Sequence, residues 1–183
     1  MKVRDVVSEC LHRMGEYDFT TGQSTLNDEQ KELQNKLVSA IDIAYKEVLT
    51  QYSPLYCTQT ITFTNNRCAR SALTFKMLYP LKLTVDGEKI DFLITDYDIT
   101  AKINGSAEFT YAYLPTTKLT IQSEVPDYRL TQSALCVGAL GEYYFQAKVF
   151  DLAKSFDAEF RAKMSLLKYK GREITIKERR WQA

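Results

Sequence analysis

Nine apolar or small residues, at positions 134, 138, 141, 145, 149, 152, 156, 160 and 164, recur at steps of three and four with no proline among them. Only an α-helix brings residues so spaced onto one face. The pattern predicts a helix from Asp127 to about residue 168, opened at Pro126–Asp127 and closed by Gly171. Unbroken, it would run roughly 60 Å at the α-helical rise. The alternative is two helices with a break near Phe150–Asp151, Asp151 acting as a cap.

Two further helices precede it. Val3, Val6, Val7, Cys10, Leu11 and Met14 make one helical face over residues 1–14, and Gly15 ends it. After the polar loop 16–26, Asn27 opens a second helix with Asp28 and Glu29 at its positive end. Leu33, Leu37, Ala40, Ile41, Ala44, Tyr45 and Val48 carry its face to about residue 51, and Pro54 stops it.

Between these helices the period changes to two. From Tyr56 to Gln122 the chain is rich in Thr, Tyr, Phe and Ile, and Thr58, Thr60, Thr62 and Thr64 alternate with Gln59, Ile61 and Phe63. Asp86–Gly87 and Asn104–Gly105 each supply the positive φ angles of a tight hairpin turn. A last strand is expected over Lys118–Gln122. The predicted class is therefore α+β: a helical frame, 1–54 and 126–170, with an antiparallel β-rich domain, 55–125, inserted between its helices. The helices are expected to form one bundle with the insert projecting from an end. Residues 171–183 read as an extended basic tail.

Residue chemistry gives little support to catalysis. The one histidine, His12, lies in the first helix, and Cys10 two positions away faces another side. Asp96 and Asp98 flank Tyr97 between strand-like runs, where a solvated turn is the ordinary explanation. The seven glycines form no phosphate-binding loop. The four cysteines, Cys10, Cys57, Cys68 and Cys136, are irregularly spaced and read as reduced thiols; with one histidine they make no zinc pattern. Neither catalytic nor metal-binding residues are assigned, and no cofactor is expected. The N-terminus has no apolar signal core, and no run of 18 apolar residues spans a membrane. A formal charge of +1 argues against a general nucleic-acid binder.

Two places invite an interaction reading. Gly138 and Gly141 lie inside the long helical pattern, where each costs up to about 1 kcal/mol against alanine. Close approach of another helix compensates, either within the chain or from a neighbouring subunit, and Tyr144 and Phe145 follow on the same segment. The tail brings Arg172, Arg179 and Arg180, with Ile174, Ile176 and the anchor Trp181.

The order of elements resembles the head-to-tail connector, or adaptor, proteins of tailed bacteriophages, most closely podophage-like forms with a β domain between the helices. The likeness rests on MKVRDVVSECLHRMGEYD followed by DEQKELQNKLVSAIDIAYKEVL, on FTYAYLPTTKLTIQSEVPDY at the end of the insert, and on LTQSALCVGALGEYYFQAKVFDLAKSFDAEFRAKMSLLKY. It covers nearly the whole chain, as order and texture rather than as an invariant motif. The resemblance implies a non-enzymatic virion protein, assembled in the host cytoplasm and placed in the neck. Such proteins form a ring, usually of twelve copies, between the portal protein and a tail or nozzle protein, with genome DNA passing through. It further implies that Arg172, Ile174, Ile176, Arg179, Arg180 and Trp181 dock on the portal. Gly138, Gly141, Tyr144 and Phe145 would then serve helix or subunit packing. The competing readings are another neck or tail component, such as a tail terminator or completion protein, and a cellular module binding a protein or single-stranded nucleic acid through the aromatics of the insert.

Overall fold

A computed structural model shows an α+β chain of helices and antiparallel sheets. It describes residues 1–21, 25–125 and 130–170. The chain divides into a helical unit, 1–44 with 119–183, and a β-rich unit, 45–118.

In the helical unit, α1 (Val3–Met14) buries Val3, Val6, Val7, Cys10 and Leu11, the face its spacing predicts. Gly15 takes the left-handed conformation at φ 75°, and its N–H and that of Glu16 close onto the carbonyls of His12 and Leu11. Helix α2 (Asp28–Gln51) opens with a reciprocal cap. Gln30 N–H donates to Asn27 Oδ1 at 2.8 Å, and Asn27 N–H donates to Gln30 Oε1 at 3.1 Å. Leu37, Ala40, Ile41 and Ala44 form its buried face in this unit.

The C-terminal pattern is two helices, α3 (Gln132–Gln146) and α4 (Phe150–Lys170). The expected start at Asp127 falls outside the described residues, as does Gly171. Thr131 caps α3, its side chain accepting from Ala134 N–H. The break comes at Ala147–Val149, ahead of the expected Phe150–Asp151. Lys148 sits at φ 60°, and the N–H groups of Ala147, Lys148 and Val149 turn back onto the carbonyls of Tyr143, Phe145 and Tyr144. The chain thus reverses at a left-handed lysine, and Asp151 lies in the first turn of α4 rather than capping it. Away from the reversal the periodic residues meet across the pair, Gly138 against Phe160 and Gly141 beside Phe156, whereas Phe145, Val149 and Leu152 at the corner are exposed.

In the β-rich unit, β1 (Leu55–Phe63), β3 (Met77–Val85), β4 (Glu88–Ile90) and β7 (Gly105–Tyr113) form one antiparallel sheet in the order β1-β7-β3-β4. A second sheet has the order β2-β6-β5, from β2 (Arg67–Ala69), β6 (Asp98–Ala101) and β5 (Phe92–Ile94). Ile61, Phe63, Leu83, Ile99, Phe109 and Tyr111 are central to its core. Phe92 meets Phe109 edge-on at 5.6 Å.

Asp86–Gly87 is the tight turn between β3 and β4, at φ 52° and 85°. Asn104–Gly105 is not a hairpin. The strand before it pairs with β2 and β5, the strand after it with β1 and β7's other neighbour β3. Gly105, at φ 113°, carries the chain from one sheet to the other, and Asn104 Oδ1 accepts from Asn66 N–H at 3.1 Å. A second tight turn, Asn65–Asn66 at φ 52° and 65°, sits where β1 leads to β2.

Lys118–Gln122 is not a strand. From Leu119 on the chain groups with the helical unit, as Tyr45–Lys118 group with the β-rich one. Leu119 N–H donates to Asp42 Oδ1 at 3.1 Å, Val3 N–H to Ser123 O at 3.0 Å, and Val125 N–H to Met1 O at 2.8 Å. Backbone demand at the start of α1 wins over local strand propensity.

Candidate functional site

The two glycines of α3 both face α4 at short range. A Cβ on Gly138 would lie 2.8 and 2.9 Å from ring carbons of the buried Phe160 and 3.2 Å from Ala44 Cβ. Gly138 is therefore tightly packed inside the chain, between Phe160 of α4 and Ala44 of α2. Gly141 faces the backbone of α4, with Asp157 N at 3.5 Å and Ala153 O at 3.7 Å from the same built atom. Tyr144 stacks almost parallel on Phe156, centroids 5.6 Å apart, and meets Tyr143 edge-on at 5.3 Å. Burial, with Tyr143 and Glu16 near it, pushes the Tyr144 phenol above its ordinary pKa.

Phe145 turns the other way. It is 60% exposed and meets Phe150, itself 51% exposed, edge-on at 5.9 Å. Val149 and Leu152 on the same corner are exposed as well. Beside them runs a groove of about 490 Å³, lined by Gly141, Phe145, Phe150 and Ala153 and rimmed by Lys154 and Arg161. Arg161 pairs with Asp157 at 3.0 Å. Large apolar side chains gathered at a helical corner with a charged rim are the composition of an interaction surface. Phe145, Val149 and Leu152 belong to the apolar pattern of the sequence and Phe150 does not; the one-helix reading would have placed all four along a continuous rod. The tail residues Arg172, Ile174, Ile176, Arg179, Arg180 and Trp181 lie outside the described residues.

The aromatics of the β-rich unit mostly face inward. Phe63, Phe109 and Tyr111 are buried, Phe92 and Tyr113 half-buried, and Tyr113 stacks on Phe75 at 4.3 Å. On the outer face Tyr56 and Tyr79 flank the buried Ala112, which pairs with both in register. Burial and then the hydrogen bond with Tyr56 push the Tyr79 phenol up to about 12. Tyr97 stands 82% exposed in the turn between β5 and β6. Three scattered rings, Phe75, Tyr79 and Tyr97, are thus exposed out of the eight that suggested a base-stacking surface, a weak platform for a single strand.

His12 is exposed, 3.8 Å from Asp18. Asp96 lies in the β5–β6 turn and Asp98 opens β6; Asp98 N–H donates to Thr95 Oγ1 and Arg70 donates to the carbonyls of Thr95 and Asp96. Among the described residues no cluster of three or more His, Cys, Asp or Glu is placed to hold a metal, and no helix is long and apolar enough to cross a membrane. Asp18 has a local role. Partial burial raises its pKa, but hydrogen bonds from Ser8, Thr20 and Thr21 prevail and hold it at about 2. No family model and no curated protein sequence matches the chain.

Proposed function

We propose that this chain is a non-catalytic structural subunit of a tailed-phage neck, forming a ring between portal and tail around the path of the DNA. The observation that carries the reading is the corner where α3 meets α4. There Phe145, Val149, Phe150 and Leu152 lie in water beside an apolar groove. Exposed phenylalanines of this kind gain free energy only when a neighbour covers them, at about 25 cal/mol per Å² of apolar surface. The order of elements, two helices, an antiparallel insert and then further helix, is compatible with the phage-connector resemblance, although a helix pair stands where the resemblance has one long helix.

In this reading the corner packs against the next subunit of a ring of about twelve, the copy number implied by the resemblance. Arg172, Ile174, Ile176, Arg179, Arg180 and Trp181 engage the portal, and the β-rich unit meets the tail or nozzle protein. A net charge of +1 is compatible with DNA that slides through without being held. The ring is built in the host cytoplasm and leaves in the virion.

The test is cryo-EM of the chain mixed with the portal protein encoded by the same genome. A ring stacked on the portal supports the proposal and counts the subunits. A bare portal at concentrations well above micromolar refutes it and favours another tail component.

A further inference from the structure

The sequence presents four irregularly spaced thiols, but the fold brings two of them together. Cys10 of α1 and Cys136 of α3 lie side by side, Sγ to Sγ at 3.4 Å, although 126 residues separate them. Both are free and fully buried, each at 0% exposure. Each is held by a well-defined helix. Cys10 stands between Val7 and Leu11 on the buried face of α1, and Cys136 lies in the buried run Ala134–Gly141 of α3. A disulfide needs sulfurs at about 2.05 Å, so closure asks for little more than an ångström of approach.

We propose that Cys10 and Cys136 are an oxidation site that closes to an intrachain disulfide when a small peroxide reaches it, fastening α1 to α3. The chemistry balances with hydrogen peroxide as oxidant. One sulfur, as thiolate, attacks a peroxide oxygen. The O–O bond breaks, hydroxide leaves, and a sulfenic acid forms. The second sulfur attacks that sulfenic sulfur, the S–O bond breaks, and the oxygen departs as water with the second thiol proton. In sum, two thiols and one peroxide give one disulfide and two waters. The pairing supplies the resolving thiol that a solitary buried cysteine lacks, so the first oxidation goes to a cross-link rather than to sulfinic acid.

The surroundings make the site slow but selective. The contact with Cys136, and then burial, push the Cys10 thiol well above the ordinary thiol range. The closed helical unit therefore reacts slowly, and a brief opening of α1 sets the rate. Cys57, only half-buried in β1, is a free thiol beside Tyr111 and serves as the internal reference for peroxide exposure.

The experiment treats the full folded chain with hydrogen peroxide, quenches it, unfolds it, alkylates the remaining thiols with iodoacetamide, and maps the unreduced peptides. The expected result is one cross-linked species joining the peptides of Cys10 and Cys136, lighter by about 2 Da than the two thiol peptides together. Thermal unfolding of the oxidised chain should rise by roughly 5–15 °C, given so long a closed loop, and dithiothreitol should reverse the rise. C10A and C136A should each lose both the cross-link and the shift. Recovery of both cysteines in alkylated form after Cys57 is fully oxidised would overturn the proposal. So would sulfinic acid at either position without a cross-link.

Discussion

Gly138 and Gly141 lie one helical turn apart on α3, yet substitution by alanine should move stability in opposite directions. In both cases alanine relieves the backbone-entropy cost of a helical glycine, up to about 1 kcal/mol. At Gly141 the new methyl meets its neighbours at 3.5–3.7 Å, ordinary van der Waals contact, so the gain stands. At Gly138 it would lie 2.8 Å from a ring carbon of Phe160 and 3.2 Å from Ala44 Cβ. Phe160 is only 2% exposed, so its ring can yield only by displacing buried neighbours. Overpacking of this kind costs about 1–3 kcal/mol, so Gly138→Ala should lose about 1–2 kcal/mol net. For a chain of this size each kcal/mol moves Tm by about 2–4 °C. Gly141→Ala should then melt about 2 °C above the parent and Gly138→Ala about 2–8 °C below it. Urea denaturation of both variants measures the difference directly. Phe160→Leu should cost less in the Gly138→Ala background than in the parent, because the smaller side chain frees the space. Gly138→Ala as stable as the parent, or no coupling to Phe160, would refute the close approach of α3 and α4.

Three other outcomes can be checked. Asp18 is held at about 2 against an ordinary 3.8, so its contribution is complete above about pH 5 and is lost as the pH falls toward 2. Asp18→Asn should cost about 1–2 kcal/mol at neutral pH and flatten the acid limb of a stability–pH curve; an equal cost at pH 7 and pH 2 would contradict this. Lys148→Gly should stabilise by about 1 kcal/mol, because a left-handed residue with a Cβ is replaced by one without; a lower urea midpoint would show that the lysine side chain has a structural role. The double variant Phe145→Ser/Phe150→Ser should fold with stability within about 1 kcal/mol of the parent, since both rings are largely exposed, and should fail to form rings on the portal; undiminished rings by electron microscopy would move the subunit contact elsewhere.

The helices were largely legible because their signals are local. The face of α1, its glycine stop and the Asn27 start of α2 follow from spacing and capping chemistry alone. The strand pairing was less so. Asn104–Gly105 has the composition of a hairpin turn, but register is set by partners far away, with Phe63 opposite Gly105, and no local pattern reports that. Asn65–Asn66 does the turning that Asn104–Gly105 was expected to do, and asparagine's tolerance of positive φ was the available signal. KLTIQ has strand composition, yet its surroundings are occupied in satisfying the first backbone groups of α1. The reversal at Lys148 carries neither glycine nor proline, so the sequence leaves one helix and a break near Phe150–Asp151 both open, and tertiary packing decides for the break. At the candidate site, the two glycines announced a close helix approach, but the identity of the approaching face, Phe160 and the backbone at Ala153–Asp157, came only with the fold. The meeting of Cys10 with Cys136 had no sequence signal beyond each lying on an apolar face.

The helical unit is written in two pieces, 1–44 and 119–183, and this has a consequence for the order of events on the ribosome. At about 5–20 residues per second of synthesis, the buried face of α1 waits several seconds to tens of seconds for α3 to be made. By then the strands from Leu55 to Tyr113 have all been translated, so the sheets have every partner they need while α1 still lacks α3. The β-rich unit is positioned to be the first folded part of the nascent chain, and the frame around it the last. A chain truncated after Lys118 would leave the apolar face of α1 without α3 to cover it, a natural substrate for holding chaperones and proteases.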